Sequence, residues 1–142
     1  MIEYNETLTS VTWETCTLRK WLNNDFVDSA FTLLEKERIS TLNATQDKLF
    51  LLSASEADVH FSSNLARQCQ ATDYAIAKGA RKKTPWYLRT PGKTNERAAS
   101  VTGDGYISVI GAAVSSRAIN DVNISANGIA ALRPAVLIDL NS

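Results

Sequence analysis

Apolar residues in the first half of the chain recur with helical spacing. Leu18, Trp21 and Leu22 fall at positions i, i+3 and i+4, with polar residues between them. This places the three side chains on one face of a helix. The pattern predicts a helix that ends at the Asn-Asn-Asp of residues 23–25, with the two following phenylalanines completing the apolar cluster.

Helix starts in the same half are marked by hydroxyl residues. Thr32 and Ser53 each stand three residues before a glutamate, which is the capping-box spacing. Thr72 is a simpler cap, for a short helix that stops at Gly79. Thr15 is expected to cap the helix that contains Trp21.

Three segments predict strands. Residues 48–52 form a nearly continuous apolar run, which fits a strand buried on both faces, although a helix stays open. Large side chains in residues 86–90 alternate as in a strand. The last strand is expected within 129–140, where Pro134 must lie at an edge, a bulge or a strand start.

The strongest local signal is a hairpin. Two short strand-like runs, 98–102 and 106–110, flank a Gly-Asp-Gly turn. Residues 111–128 that follow are small and polar, without periodicity. Helices followed by antiparallel hairpins predict one α+β domain over 1–142, with 1–12 as a poorly defined lead-in.

Charge and length exclude several classes of protein. The chain has 142 residues, with 15 basic and 15 acidic side chains. This balance removes the long-range attraction on which non-specific nucleic-acid binding depends, and residues 81–83 are interpreted as a solvated basic loop. No apolar run reaches the roughly 20 residues of a membrane helix. The start does not resemble a signal peptide, so a cytoplasmic protein and a phage-particle protein both fit.

Candidate catalytic and metal-binding residues are few. Cys16 is expected to be a small apolar residue near the first helix and Cys69 a partly buried helical thiol, with a bridge between them left open. His60 is the single histidine and cannot build a zinc site alone. Asp104 is explained by its turn rather than by calcium binding. The sequence therefore predicts no catalytic residue, no metal and no cofactor.

Two arginines stand in apolar, strand-like surroundings. The guanidinium groups of Arg89 and Arg133 must find carboxylates or backbone carbonyls there, because burying such a charge unpaired is costly. Both are interpreted as structural residues, and so are Trp21 and Trp86.

Four segments in chain order carry a family resemblance. Residues 18–23 read Leu-Arg-Lys-Trp-Leu-Asn, 50–53 Phe-Leu-Leu-Ser, 86–92 Trp-Tyr-Leu-Arg-Thr-Pro-Gly, and 132–136 Leu-Arg-Pro-Ala-Val. On these segments the chain resembles a bacterial and phage family of domains of unknown function. That family's motifs are Leu-Arg-x-Trp-Leu-Asn, Phe-Leu-Leu-Ser, Trp-Trp-Leu-Arg-Ser-Pro-Gly and Val-Arg-Pro-Ala-Leu. The departures are conservative in size: Tyr87, Thr90 and Leu132.

The resemblance implies a C-type-lectin-like fold, in the version shared by formylglycine-generating enzymes and the variable proteins of diversity-generating retroelements. In that fold the arginine-containing last strand closes the sheet, and the irregular stretch before it displays the ligand face. The family's N-terminal strands are shortened or missing here. The enzyme's late pair of copper-binding cysteines is absent, and so are the Glu-Pro-Asn and Gln-Pro-Asp calcium loops of sugar-binding lectins.

We therefore expect a non-catalytic ligand-binding or display module that recognises a protein or a glycan. The alternatives are a structural or receptor-binding subunit of a phage or cell-surface assembly, which could be a homo-oligomer, and a degenerate oxidase-fold enzyme. Trp86, Tyr87 and Tyr106 are candidate stacking platforms for a sugar. The ligand-binding residues are expected on the loops at 93–97 and 115–127 and at one tyrosine: Asn95, Arg97, Tyr106, Ser115, Ser116, Arg117, Asn120, Asp121 and Asn123.

Overall fold

The first helical segment is longer than its sequence predicts. The computed structural model describes residues 3–116 and 130–141. In it, α1 (Thr17–Trp21) continues through a π-helical turn (Leu22–Phe26) into α2 (Val27–Ala30). The predicted end at Asn-Asn-Asp is wrong: the backbone stays helical through these residues, and their side-chain amides donate to carbonyls one turn earlier, Asn23 to Arg19 at 3.1 Å and Asn24 to Lys20 at 2.6 Å. Such side-chain bonds accompany the wider π turn without ending the helix.

Four short helices follow, and their predicted caps are largely confirmed. Both capping boxes are complete, at Thr32 and at Ser53, and Thr72 accepts from the third amide of its helix. The first helix is different: the Cys16 thiol is its N-cap, while the Thr15 hydroxyl accepts from the amide of Thr12. The helices are α3 (Leu33–Glu37), α4 (Ala54–His60), α5 (Asn64–Arg67) and α6 (Asp73–Ala77).

The strands form two three-stranded antiparallel sheets, so the fold is α+β. One sheet has the order β1-β6-β2 and the other β3-β4-β5. Their bounds are β1 (Ile39–Ser40), β2 (Leu49–Phe50), β3 (Trp86–Pro91), β4 (Arg97–Val101), β5 (Ile107–Ala113) and β6 (Ala135–Ile138).

The predicted hairpin is the longest paired region. Strands β4 and β5 pair from Val101 opposite Ile107 to Arg97 opposite Ala113, with a bulge on the way. Gly111 lies in the bulge with φ +80°, where an added Cβ would collide with the carbonyl oxygen of Ala98. Only glycine fits this position without a backbone shift.

A short bridge joins the second sheet to the last segment of the chain. Ala131 pairs in parallel with Trp86, and its carbonyl accepts from the amide of Tyr87 at 3.0 Å. Pro134 directly precedes β6, so it stands at a strand start, one of the three predicted placements. The last strand is shorter than the predicted 129–140, and Arg133 lies between the bridge and β6 rather than within a strand.

The N-terminal lead-in contributes to the core although it forms no helix within residues 3–16. Tyr4 is buried, with ring centroids 6.1 Å from Trp13 and 5.3 Å from Tyr87. The amide of Asn5 donates to the carbonyl of Val114 at 2.9 Å, just after β5. The start of the chain therefore packs into the same core as the hairpin. The aperiodic sequence of this N-terminal segment does not indicate that contribution.

Candidate functional site

The loop between β3 and β4 is held by its backbone. The amide of Val11 donates to the carbonyl of Asn95 at 3.0 Å, and the amide of Val114 donates to the carbonyl of Glu96 at 3.0 Å. The amide of Lys93 donates to the carbonyl of Ile110 at 3.2 Å. Because the N-terminal lead-in and the β5 segment both hold this loop, its shape is set by the fold.

The side chains of the same loop take no part in these contacts. Lys93, Thr94, Asn95 and Glu96 are all exposed, and their side chains form no hydrogen bond or ion pair with the described residues. Arg97 differs, since it is half-buried and its Nη1 donates to the carbonyl of Gly111 at 2.8 Å. We call residues 93–96 the fixed polar loop.

Ser115 and Ser116 both donate hydrogen bonds to the carboxylate of Glu3. The Ser115 hydroxyl donates to Glu3 Oε2 at 2.6 Å, and the Ser116 hydroxyl donates to Glu3 Oε1 at 2.5 Å. Ser115 is fully buried, so it does not contribute to an exposed surface. These two residues anchor the chain as it leaves β5.

The other predicted ligand residues of this stretch lie outside the described residues: Arg117, Asn120, Asp121 and Asn123. The points where the segment begins and ends are described. Ser116 comes soon after Ala113, which pairs with Arg97 at one end of the sheet. Ala130 directly precedes the bridge between Ala131 and Trp86. Trp86 pairs with Val101 at the other end of the sheet. The described residues on either side of this segment, Ser116 and Ala130, therefore lie near opposite ends of the β3-β4-β5 sheet.

The aromatic candidates do not form one platform. Trp86 and Tyr87 are fully buried, so neither ring is available for stacking on a sugar. Tyr106 is 60% exposed, but it adjoins the hairpin turn, at the opposite end of β4 from Asn95. Trp21 is half-buried, with its ring 4.9 Å from that of Phe26 against the core.

Arg89 is held through both terminal nitrogens of its guanidinium group. It forms a two-pronged ion pair with Glu56, at 2.5 Å and 2.6 Å, and also donates to the carbonyl of Leu51 at 2.8 Å. Hydrogen bonds from Arg89 lower the pKa of the Glu56 carboxyl. Glu56 is at the same time the capping glutamate of α4, so one residue links the helix start to β3.

Arg133 has different surroundings from those its sequence suggests. Its guanidinium carbon lies 4.9 Å from the ring centroids of both Phe61 and Trp86. Its Nη1 is buried and has no hydrogen-bond partner among the described residues. Neither an ion pair nor a carbonyl clamp to this arginine is present within 3–116 and 130–141.

The thiols and the histidine are separate. Cys16 is buried, and burial raises the pKa of its thiol to about 11. Cys69 is half-buried and free, and it lies after α5 rather than in a helix as predicted. His60 is exposed at the last position of α4.

The described part of the chain offers neither a cluster of metal-binding side chains nor a membrane-spanning helix. It contains no group of three or more His, Cys, Asp or Glu side chains placed to hold a metal ion. None of its helices is long and apolar enough to span a membrane.

Comparison with known proteins gives a family without an assigned function. A family model described as "Domain of unknown function (DUF6273)" matches residues 1–140, so the chain belongs to that family. No curated protein and no solved structure matches the chain significantly.

Proposed function

We propose that this member of the DUF6273 family is a non-catalytic recognition module that binds a protein through the fixed polar loop. The observation that carries the proposal is the contrast within residues 93–96. Their backbone is hydrogen-bonded to two other segments, whereas their side chains are exposed and unpaired among the described residues. A loop whose backbone is already fixed loses little backbone conformational entropy on binding, and its exposed side chains are available to a partner.

The composition of the loop favours a protein over a glycan. It presents one positive, one negative and two uncharged polar side chains, which suit a mixed polar interface. Sugar binding commonly uses an aromatic face, but Trp86 and Tyr87 are buried and Tyr106 lies at the other end of β4. Four further residues expected on the same ligand-binding surface lie outside the described residues: Arg117, Asn120, Asp121 and Asn123.

The non-catalytic part of the proposal is supported by the hydrogen bonds and ion pairs that the potentially reactive side chains already make. The Cys16 thiol donates to the carbonyl of Trp13 and the Cys69 thiol to that of Gln70, rather than either pairing with His60. Glu56 is neutralised by Arg89. A nucleophile needs a base within hydrogen-bond reach, and these contacts provide none for the two thiols.

We also propose that the architecture is a C-type-lectin-like one. Two small antiparallel sheets, the aperiodic polar sequence of residues 111–128 and the four sequence segments support it. An experimental structure in which the β1-β6-β2 and β3-β4-β5 sheets had a different strand order would overturn it.

The binding proposal is tested with a triple variant and a matched control. Lys93→Ala, Asn95→Ala and Glu96→Ala are combined, and the control combines the same residue types at exposed, unpaired positions elsewhere: Lys82→Ala, Asn43→Ala and Glu37→Ala. The labelled wild-type chain is first screened on protein and glycan arrays. We expect a protein hit whose affinity falls at least about tenfold in the loop variant and is unchanged in the control.

Two outcomes would contradict this assignment. Equal binding by the loop variant and the wild type would show that residues 93–96 are not the site. A glycan hit that depends on the loop would keep the site but replace the class of ligand.

A structural subunit is the second candidate, because several large apolar side chains are exposed on β6 and on the helix that precedes β1. Leu137 and Ile138 on β6 are exposed, as are Leu33 and Leu34 on the helix that precedes β1. Strand β1 pairs with β6, so these elements adjoin. A stable oligomer in sedimentation, lost on Leu137→Ser with Ile138→Ser, would favour assembly, whereas a monomer would argue against it.

A further inference from the structure

Arg133 is the exception among the arginines that are wholly or partly buried. The other four in residues 3–116 have fixed partners: Arg19 pairs with Asp47, Arg67 donates to the carbonyls of Gly105 and Phe61, Arg89 pairs with Glu56, and Arg97 donates to the carbonyl of Gly111. Arg133 touches two aromatic rings and leaves a buried Nη1 without a partner.

The rings that hold Arg133 are themselves fixed. Trp86 is fully buried, and its indole N–H donates to the carbonyl of Arg67 at 3.0 Å. The Phe61 ring lies 6.1 Å from that of Trp86 at an angle of 68°, so the two form a corner. A guanidinium packed against aromatic faces keeps its N–H donors free in its own plane.

Such an arrangement favours an added anion. A guanidinium donor withdrawn from water without a partner is unfavourable, and aromatic contact offsets this only in part. Arg133 is only half-buried, so its side chain reaches the surface. The planar fork of arginine matches a two-oxygen acceptor.

We propose that Arg133, Phe61 and Trp86 form a binding site for a carboxylate. A carboxylate presents its two oxygens in one plane, which matches the planar fork of the guanidinium group. A flat carboxylate also fits beside two rings more readily than a tetrahedral group. The site lies near the Trp86 end of β3, away from residues 93–96, so it does not depend on the proposed protein-binding loop.

Acetate is the probe for this site, with phosphate at matched ionic strength for comparison. In NMR titrations of the wild-type chain we expect saturable shifts of the Arg133 Nε–H and Trp86 indole N–H resonances with acetate. The exposed Arg81 is the internal control and its Nε–H should not saturate. Arg133→Lys keeps the charge but loses the fork, and it should weaken acetate binding about tenfold.

Several results would overturn the proposal. These are equal, unsaturated shifts at Arg81 and Arg133, tighter binding of phosphate than of acetate, or undiminished acetate binding by a folded Arg133→Lys. If that variant does not fold, the wild-type titration alone decides. Because the probe is acetate, failure here leaves the loop-variant binding test of the proposed function unaffected.

Discussion

Arg89 and Arg133 occupy matching sequence contexts but different structural ones. Each stands among apolar residues and is followed within two positions by a proline. Arg89 meets the carboxylate of Glu56 and the carbonyl of Leu51, so its charge is compensated twice. Arg133 meets the rings of Phe61 and Trp86 instead.

The difference shows which arginine supports the fold and which is open to an added partner. The Arg89 pair ties β3 to the start of α4, and removing either partner leaves a half-buried charge uncompensated. Arg133 contacts aromatic rings instead, and removing its charge leaves no charged or hydrogen-bonding group in those rings without a partner. Four predictions test this contrast, in order of decreasing expected effect.

Trp86→Ala should have the largest effect, because it removes the ring shared by Arg133 and the core. Loss of a fully buried tryptophan is expected to lower the free energy of unfolding by about 3–5 kcal/mol. Urea denaturation measures this, with the exposed Tyr74→Ala as the control, expected within about 0.5 kcal/mol of wild type. A loss of stability no larger than that of Tyr74→Ala would show that Trp86 and its contact with Arg133 are not part of the core.

Glu56→Gln should lower the free energy of unfolding by about 1–2 kcal/mol, because it removes the charge that Arg89 pairs with. Glutamine still serves in a capping box, so the helix start is preserved. Glu35→Gln is the matched control, since Glu35 completes the box at Thr32 but has no arginine partner in the described chain. Equal losses in the two variants would assign the effect to capping rather than to the ion pair.

The pH dependence of stability should carry the same signature. The hydrogen bonds from Arg89 hold the pKa of Glu56 below its ordinary value. The pair therefore contributes stability above the unfolded pKa of about 4.3, and this is lost as pH falls through the lower folded value. Urea denaturation at pH 6 and near pH 3 should show a smaller difference for Glu56→Gln than for wild type.

Arg133→Gln should have the smallest effect, within about 1 kcal/mol of wild type. It loses cation–π contacts but also removes the unpaired buried donor, and these changes oppose each other. Arg89→Gln is the comparison, and it should cost more because Glu56 and the Leu51 carbonyl lose their donor. A larger loss at Arg133 than at Arg89 would reverse the interpretation of both residues.

Local signals in the sequence were reliable where short-range chemistry decides the structure. The boxes at Thr32 and Ser53 and the Gly-Asp-Gly hairpin depend on residues at most a few positions apart. The local signals gave wrong predictions where groups distant in the sequence form hydrogen bonds with the segment. The helix through Asn23 continues because its amide reaches the carbonyl of Leu49 at 2.8 Å, a partner that no local pattern reveals.

The candidate site shows the same division. Asn95 could be chosen from the sequence because its stretch is polar and aperiodic, and it is exposed in the fold. Ser115 belongs to an equally polar stretch but is buried, because Glu3 accepts from it across nearly the whole length of the chain. Polarity alone cannot distinguish a residue that faces solvent from one that is satisfied internally.

What the sequence by itself determined are the helix caps, the hairpin and the α+β class, since each follows from propensities and spacings within a few residues. Only the tertiary structure decided that the aperiodic N-terminus brings Tyr4 into the core and that Arg89 finds a carboxylate whereas Arg133 finds two rings. The physical reason is that burial and charge compensation depend on groups far apart in the chain, and their meeting is a property of packing rather than of local order.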